Sequence, residues 1–284
     1  MNQMTLYKKA LVLALTLAGL STSQASFAQT LSPEQPRADT EPPLQLRSDT
    51  ATRNLELSAG GQSLSNGYGR WRELTLRGAY GLPGHVLQGE VSALRRFNKD
   101  GAYLGISDTY TFNEDWFASV ALGAGDGAFY LPRFRADATL FRKFLPDRKL
   151  VGSIGVGRYN APDGHTDNSL SLGLVYYFQA PWILEGGVRM NSSNPGAIRT
   201  QQQFVAATWG RNKQDLVTGR YGWGGEGYLT TAVASQLVNF KSDEASLVWR
   251  HWFPPRTGVL TGINRYKNPL YVRTGFTVGI FHDF

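Results

Sequence analysis

Taking every second residue back from Phe284 separates the end of the chain into two unlike rows. One row is Phe284, His282, Ile280, Val278, Phe276, Thr274 and Val272. The other is Asp283, Phe281, Gly279, Thr277, Gly275, Arg273 and Tyr271. The first is mostly apolar and closes on an aromatic. The second is small, polar or charged apart from its aromatics. A period of two belongs to a strand whose faces meet different surroundings. It excludes a helix here and sets the question for the rest of the chain.

The same alternation recurs from Arg53 onward, broken at turn residues. Leu55, Leu57 and Ala59 oppose Glu56, Ser58 and Gly60, and Leu74, Leu76 and Tyr80 oppose Glu73, Thr75 and Arg77. The cleanest case is Asn168 to Phe178, where Leu170, Leu172, Leu174 and Tyr176 alternate with Ser169, Ser171 and Gly173. Asp108 falls on an apolar row, which predicts a bulge or a barrel rim there. In Arg199 to Trp209 the consecutive Gln201, Gln202 and Gln203 hide the face.

The start of the chain reads as a secretory signal over residues 1–28. Lys8 and Lys9 precede the apolar run Ala10 to Leu20, which is too short to span a bilayer at about 20 residues per helix. Ser26-Phe27-Ala28 offers a small-x-small cleavage site. Residues 29–52, rich in proline and poor in large apolar residues, are expected to form a disordered periplasmic leader. Residues 53–284 form the folded unit. The chain has no cysteine, which excludes a disulfide framework and a thiolate metal site. Without Lys8 and Lys9 the basic count falls from 29 to 27 against 22 acidic residues, a net +5. That is mild and unclustered, so nucleic acid is not an expected partner.

A terminal strand ending in Phe over an apolar row resembles the closing strand of bacterial outer-membrane barrels. In those proteins the chain end is read by the barrel-assembly machinery, so Phe284 is assigned as an assembly signal by that resemblance. The breaks agree. A short set includes Gly81 to Gly84, Asn113 to Asp115 and Arg211 to Lys213; a longer set includes Asp126 to Leu131, Asn160 to Asp167, Asn191 to Ile198 and Gly224 to Val238. Such barrels have short periplasmic turns and longer outside loops. The expected fold is an all-β, transmembrane, antiparallel up-and-down barrel of about fourteen strands, with twelve or sixteen also open. Its partner is outer-membrane lipid. Trp71, Tyr80, Trp116, Trp182, Trp209 and Trp252 lie at strand ends and are assigned to interfacial girdles.

The residues left to carry function lie on the inward rows: Glu73, Arg77, Glu90, Arg96, Arg135, Asp137, Glu185, Arg189, Arg220, Glu244, Arg250 and Arg273, together with Glu56. Lipid does not host such charges cheaply, so the alternation sends them to the lumen. They form either a ladder of ion pairs that stiffens the barrel or a charged wall along a water-filled path. Inward Tyr103, Tyr159 and Tyr271 can stack on sugar rings or fill space. No catalytic residues are assigned. The four histidines lack metal-ligand spacing, and no Gly-x-Ser-x-Gly elbow occurs. His165-Thr-Asp167 reads as an ordinary outside turn. Gly123-Ala-Gly125-Asp-Gly127 lacks the ending of a phosphate loop and reads as small residues at a tight lumen. No metal or cofactor is expected.

Leu57-Ser-Ala-Gly-Gly61, Asn66-Gly-Tyr-Gly69, Leu74-Thr-Leu-Arg77, Val248-Trp-Arg250 and Arg265-Tyr-Lys-Asn-Pro269 together resemble the YaiO-type outer-membrane barrel family. The resemblance implies a barrel without catalytic residues. Its members stand alone or within larger proteins, sometimes beside machinery for surface polysaccharide synthesis and export. Three functions follow as expectations: a channel or export pore for glycans or other polar solutes, a non-conducting structural or surface-receptor barrel, or, least favoured, an enzyme acting on envelope components.

Overall fold

The alternating segments pair as neighbours in chain order. A computed structural model describes residues 53–284 except 180, 233, 234 and 255; the signal segment and the leader lie outside the described residues. The strands are β1 (Arg53–Leu64), β2 (Arg70–Leu82), β3 (His85–Arg96), β4 (Lys99–Thr111), β5 (Trp116–Gly125), β6 (Phe134–Phe144), β7 (Leu150–Asn160), β8 (Thr166–Tyr177), β9 (Trp182–Asn194), β10 (Ile198–Gly210), β11 (Asp215–Ala232), β12 (Ser235–Phe253), β13 (Thr257–Lys267) and β14 (Val272–Asp283). They form a closed barrel in which each strand pairs with its neighbours in sequence. β14 returns to β1 antiparallel, from Asn54 opposite Asp283 to Leu64 opposite Arg273. Closure satisfies every strand edge, which lipid requires because it offers no hydrogen bonds.

The two rows separate as the pattern dictates. On β1, Leu57 is 42% exposed while its neighbours Glu56 and Ser58 are 1% and 4% exposed. Ile106, Ile263 and Phe276 likewise stand outward. The outward apolar belt is the lipid face and the buried row is the lumen.

Two readings of the sequence need correction, and two left open resolve. Trp71 and Trp252 are not girdle residues: both are buried on the inward row. Tyr80, Trp182 and Trp209 do face outward. Gly224 to Val238 is not a loop but the outer continuation of β11 and β12, whose pairing runs from Asp215↔His251 to Ala232↔Ser235. The glycines there, which suggested turns, lie within paired strands. Of the two readings for Asp108 the rim holds and the bulge does not, since the β3–β4 and β4–β5 registers are unbroken there. It sits toward the short-turn end and meets His85 Nδ1 at 2.8 Å. In β10 the face hidden by the glutamines resolves with Phe204 and Thr208 inward and Val205 and Trp209 outward.

The outside connection from β3 to β4 is a two-residue turn. Only Phe97 and Asn98 separate the strands, both at positive φ (47° and 62°). Such a pair matches the twist of a tight hairpin. A left-handed phenylalanine is costly. Its ring packs edge-on to Trp71 at 5.0 Å and faces Tyr68 and Tyr271, which offsets that cost.

Candidate functional site

All the charged residues assigned to the lumen lie on inward rows, and their partners define what the lumen is. Toward its periplasmic end Glu56 of β1 joins two arginines. Arg250 Nη1 donates to Glu56 Oε2 at 2.8 Å, and Arg77 Nη1 lies 3.4 Å from Oε1. Arg77 Nε also donates to Glu90 Oε2 at 2.8 Å. Ser92 Oγ donates to Glu90 Oε1 and meets Thr75 Oγ1, extending the network over β12, β1, β2 and β3. The Arg250 guanidinium reaches Glu56 by lying on the face of Phe281, 3.5 Å from its centroid. Phe281 is directly opposite Glu56 in the seam.

The other charges are held similarly. Arg135 Nε pairs with Asp137 at 2.6 Å. Arg189 donates to Asn191 Oδ1 and Ser169 Oγ. Arg220 sits 3.6 Å over the Phe204 ring. Arg273, fully buried, pairs with Glu244 at 3.2 Å and lies between the Trp71 and Tyr266 rings. Arg96 lies over Trp71 and Tyr130. Glu73 leans over Gly60, where an added Cβ would come within 2.6 Å of its carboxylate. Glu185 occupies the inward row of β9, between Val175 and Ala206. Buried charges persist only when paired and hydrogen-bonded, and these are integrated into packing.

The periplasmic end of the lumen is apolar. One buried cluster draws on every strand from β5 to β14 except β10 and β13, including Phe117, Phe141, Ile183, Leu216 and Trp252. Phe117 and Phe141 stack at 4.5 Å, and Trp252 packs edge-on to Phe281 at 4.9 Å. The alternation carried the signal for this cluster: Phe117 shares the row of Ser119 and Ala121, a large ring on an otherwise small and polar face.

Chain that extends beyond the wall packs over the outer end. The hairpin formed by β11 and β12 reaches two sides of the mouth. Tyr228 stacks on His165 at 4.9 Å, its hydroxyl donates to the Pro195 carbonyl, and Gln236 Nε2 donates to Asp163 Oδ2 at 2.6 Å. Leu229, with no exposed surface, packs with Leu64, Trp71, Phe240 and Tyr271. Glu226, which the sequence reading missed, is 2% exposed and accepts from Tyr266 Oη at 2.9 Å and from Ser242 Oγ.

Residues 126–133 add a second insertion. Tyr130 is buried, and its hydroxyl donates to the carbonyls of Leu94 and Lys99. Burial pushes that phenol up to about 12. Gly101, Gly123 and Gly125 are small because the Tyr130 hydroxyl, the Tyr103 hydroxyl and the Leu131 side chain, respectively, fill the space a Cβ would take. Tyr159 and Tyr271 are also buried and fill space.

His165 is not on an open turn. It is 3% exposed, 2.5 Å from Asp163 Oδ1 through Nδ1 and 3.8 Å from Asp167 Oδ2 through Nε2, beneath Tyr228. Phe284, by contrast, is 59% exposed at the barrel's edge, its amide bonded to the Arg53 carbonyl.

Solved barrels of the outer membrane share this fold. A bacterial polysaccharide outer membrane secretin matches with a TM-score of 0.54 at 10% identity, covering 81% of this chain and 98% of its own. The CymD monoaromatic hydrocarbon channel matches with a TM-score of 0.54 at 10% identity, covering 82% and 87%. A search of curated proteins returns no match. A family model, the YaiO membrane beta barrel domain, matches residues 52–229. The motifs at Val248 to Arg250 and Arg265 to Pro269 lie beyond that match, in the strands that complete the same closed sheet and the turn after them. An alternating chain closed into fourteen antiparallel strands, with an apolar outer wall and this family match over most of its folded length, belongs to the YaiO membrane beta barrel family and is a protein of the bacterial outer membrane.

Proposed function

We propose that this protein is a resting-state closed barrel, a structural or surface-receptor element of the outer membrane, and that it is not an open diffusion channel. The observation that carries the reading is the buried cluster at the periplasmic end. Aromatic and aliphatic side chains from eight strands join there in one cluster with almost no exposed surface. Small barrels fill their interiors with side chains, whereas 16–18-stranded porins leave a water channel. This barrel lies between those sizes and carries aromatic bulk on its inward rows. The charges of the lumen support the same reading, because they engage one another and the rings.

The test is single-channel recording from the refolded barrel in a planar bilayer. The wild type is expected to give no steady conductance. Replacing Phe117, Phe141 and Trp252 together with alanine, and deleting residues 226–240, should produce current steps. Steady wild-type current would overturn the reading.

A gated path for glycans or other polar solutes is the second reading. What favours it is the construction of the outer cover, a hairpin whose strands beyond Gly224 and before Asp243 pair only with each other. It predicts current or solute flux only after a trigger. A catalytic role is not proposed: His165 and Asp167 are enclosed beneath Tyr228. The proposed partners are outer-membrane lipid and the barrel-assembly machinery, the latter reading Phe284.

A further inference from the structure

The outer end of the seam between β1 and β14 is bordered by cations on its lipid-facing side. Antiparallel pairing aligns Arg70 with Ser63, Ser63 with Thr274, and Thr274 with Arg265. All four are exposed. The line crosses three strand-to-strand steps, so the arginine backbones stand about 14 Å apart at about 4.8 Å per step. Two outward hydroxyls lie between them. One outward position deeper, Arg72 stands opposite Gly61 on one side and Arg95 on the other. Gly61 keeps the floor low, since an added Cβ would come within 3.2 Å of the Phe276 ring. Lys267 and Lys241 extend the basic border on β13 and β12.

The local carboxylates do not balance this arc. Asp100 holds Arg95 at 2.7 Å, and Asp243 stands across from Lys267. Arg72 and Arg95 face each other directly across an antiparallel pair, a like-charge arrangement in which Asp100 neutralises Arg95. Below the arc the wall is apolar: Leu57, Leu74, Phe276 and Val278 are all exposed to lipid. The groove therefore has basic sides and a hydroxyl floor, and it opens onto the acyl zone at the end of the barrel that faces outside the cell.

We propose that this groove binds the headgroup of an outer-leaflet glycolipid, a disaccharide carrying a phosphate at each end, with its acyl chains running down over Phe276 and Leu74. Arg70 and Arg72 hold one phosphate and Arg265 with Lys267 the other, while Ser63 and Thr274 meet the sugar between them.

The full-length barrel, refolded in phosphatidylcholine vesicles doped with bis-phosphorylated lipid A, tests this by native mass spectrometry of lipid retained per barrel. A basic side chain near an anionic surface contributes about 1 kcal/mol, roughly fivefold in affinity. The combined change Arg72→Gln and Arg265→Gln should therefore lower retention about 25-fold, while Arg142→Gln at the opposite rim should leave it unchanged. Arg70→Gln alone, expected to lose about fivefold, keeps the test decisive should the double variant fold poorly. Unchanged retention in the double variant and in Arg70→Gln would overturn the proposal. So would equal retention of dephosphorylated lipid A, or of phosphatidylglycerol at matched charge, or displacement by inorganic phosphate alone.

Discussion

Buried side chains pack inside the barrel at both ends, but the material differs. At the periplasmic end the filling belongs to the wall: Phe117, Phe141, Trp252 and Phe281 project from strands whose backbones are paired on both sides. At the outer end the filling belongs to segments that have left the wall, the β11–β12 hairpin and residues 126–133, held by contacts such as Tyr228 on His165 and Tyr130 on Leu94. The first closure opens only if the barrel itself deforms. The second can open locally, because stability is not uniform and peripheral units detach at less than the global cost. One molecule thus combines a fixed floor with a detachable cover.

The largest expected effect is at the floor. Phe141→Ala removes one of the stacked rings, and a buried phenylalanine truncation costs about 3–5 kcal/mol. A denaturant titration followed by the heat-dependent band shift should show the whole barrel losing stability; a loss confined to the outer segments would break the comparison. Next comes the wall itself. Leu172 faces lipid, and Leu172→Arg should cost about 2–4 kcal/mol near the midplane and reduce membrane insertion. Its neighbour Ser171 faces the lumen but is buried beside Gly155, where an added Cβ would lie 2.6 Å from Ser171 Oγ. Ser171→Arg should therefore insert and then unfold more readily. Equal insertion defects at both sites would mean that the faces are not distinct.

A smaller effect is expected at the cover. Tyr228→Ala loses one stacked aromatic contact, about 0.5–1.5 kcal/mol. Hydrogen exchange at residues 226–232 should quicken while the global midpoint stays in place; a shifted midpoint would show that the cover and the floor unfold as one. The smallest concerns pH. Burial pushes the Tyr130 phenol up to about 12, from the ordinary value of about 10. Its unfolded phenol ionises first, so its contribution is complete below pH 10 and is lost as pH rises through about 12. Tyrosinate absorbance should rise late for Tyr130 against a Tyr130→Phe control, with the outer segments loosening in step. Early titration would mean that the 126–133 insertion is open to water.

The wall was legible because the period of two is strict and lipid enforces it; a one-residue slip would put charge into hydrocarbon. The closures were less so. Trp71 and Trp252 sit at strand ends, where a girdle residue and a lumen residue look alike unless parity is followed to the last position. Phe117 and Phe141 had the right parity for the lumen, but bulk alone does not say whether rings from opposite strands meet. The β11–β12 extension was read as a loop because Gly224, Gly225 and Gly227 suggest turns; pairing with Ser242, Lys241 and the residues beyond outweighs that local preference. Partners such as Tyr228 with His165 are far apart in sequence and carry no local sign. The charged residues were placed by alternation, yet only the geometry pairs Arg250 with Glu56.

That pairing bears on how closure finds its proper alignment. Alternation rejects a seam displaced by one residue but is blind to a displacement of two, which keeps every side chain on its own face. Between β1 and β14 such a displacement would move Glu56 about 7 Å along the strand, at about 3.4 Å per residue, and bring Asn54 or Ser58 opposite Phe281 in its place. Arg250 would then lie on that ring with no carboxylate to meet, and a buried guanidinium left alone is strongly unfavourable. Asn54, which donates to Asp283 at 2.7 Å across the same seam, would lose its partner too. The carboxylate shared by Arg250 and Arg77 therefore acts as a reading-frame mark for the last strand to dock, distinguishing the true join from the false ones that hydrophobicity alone accepts.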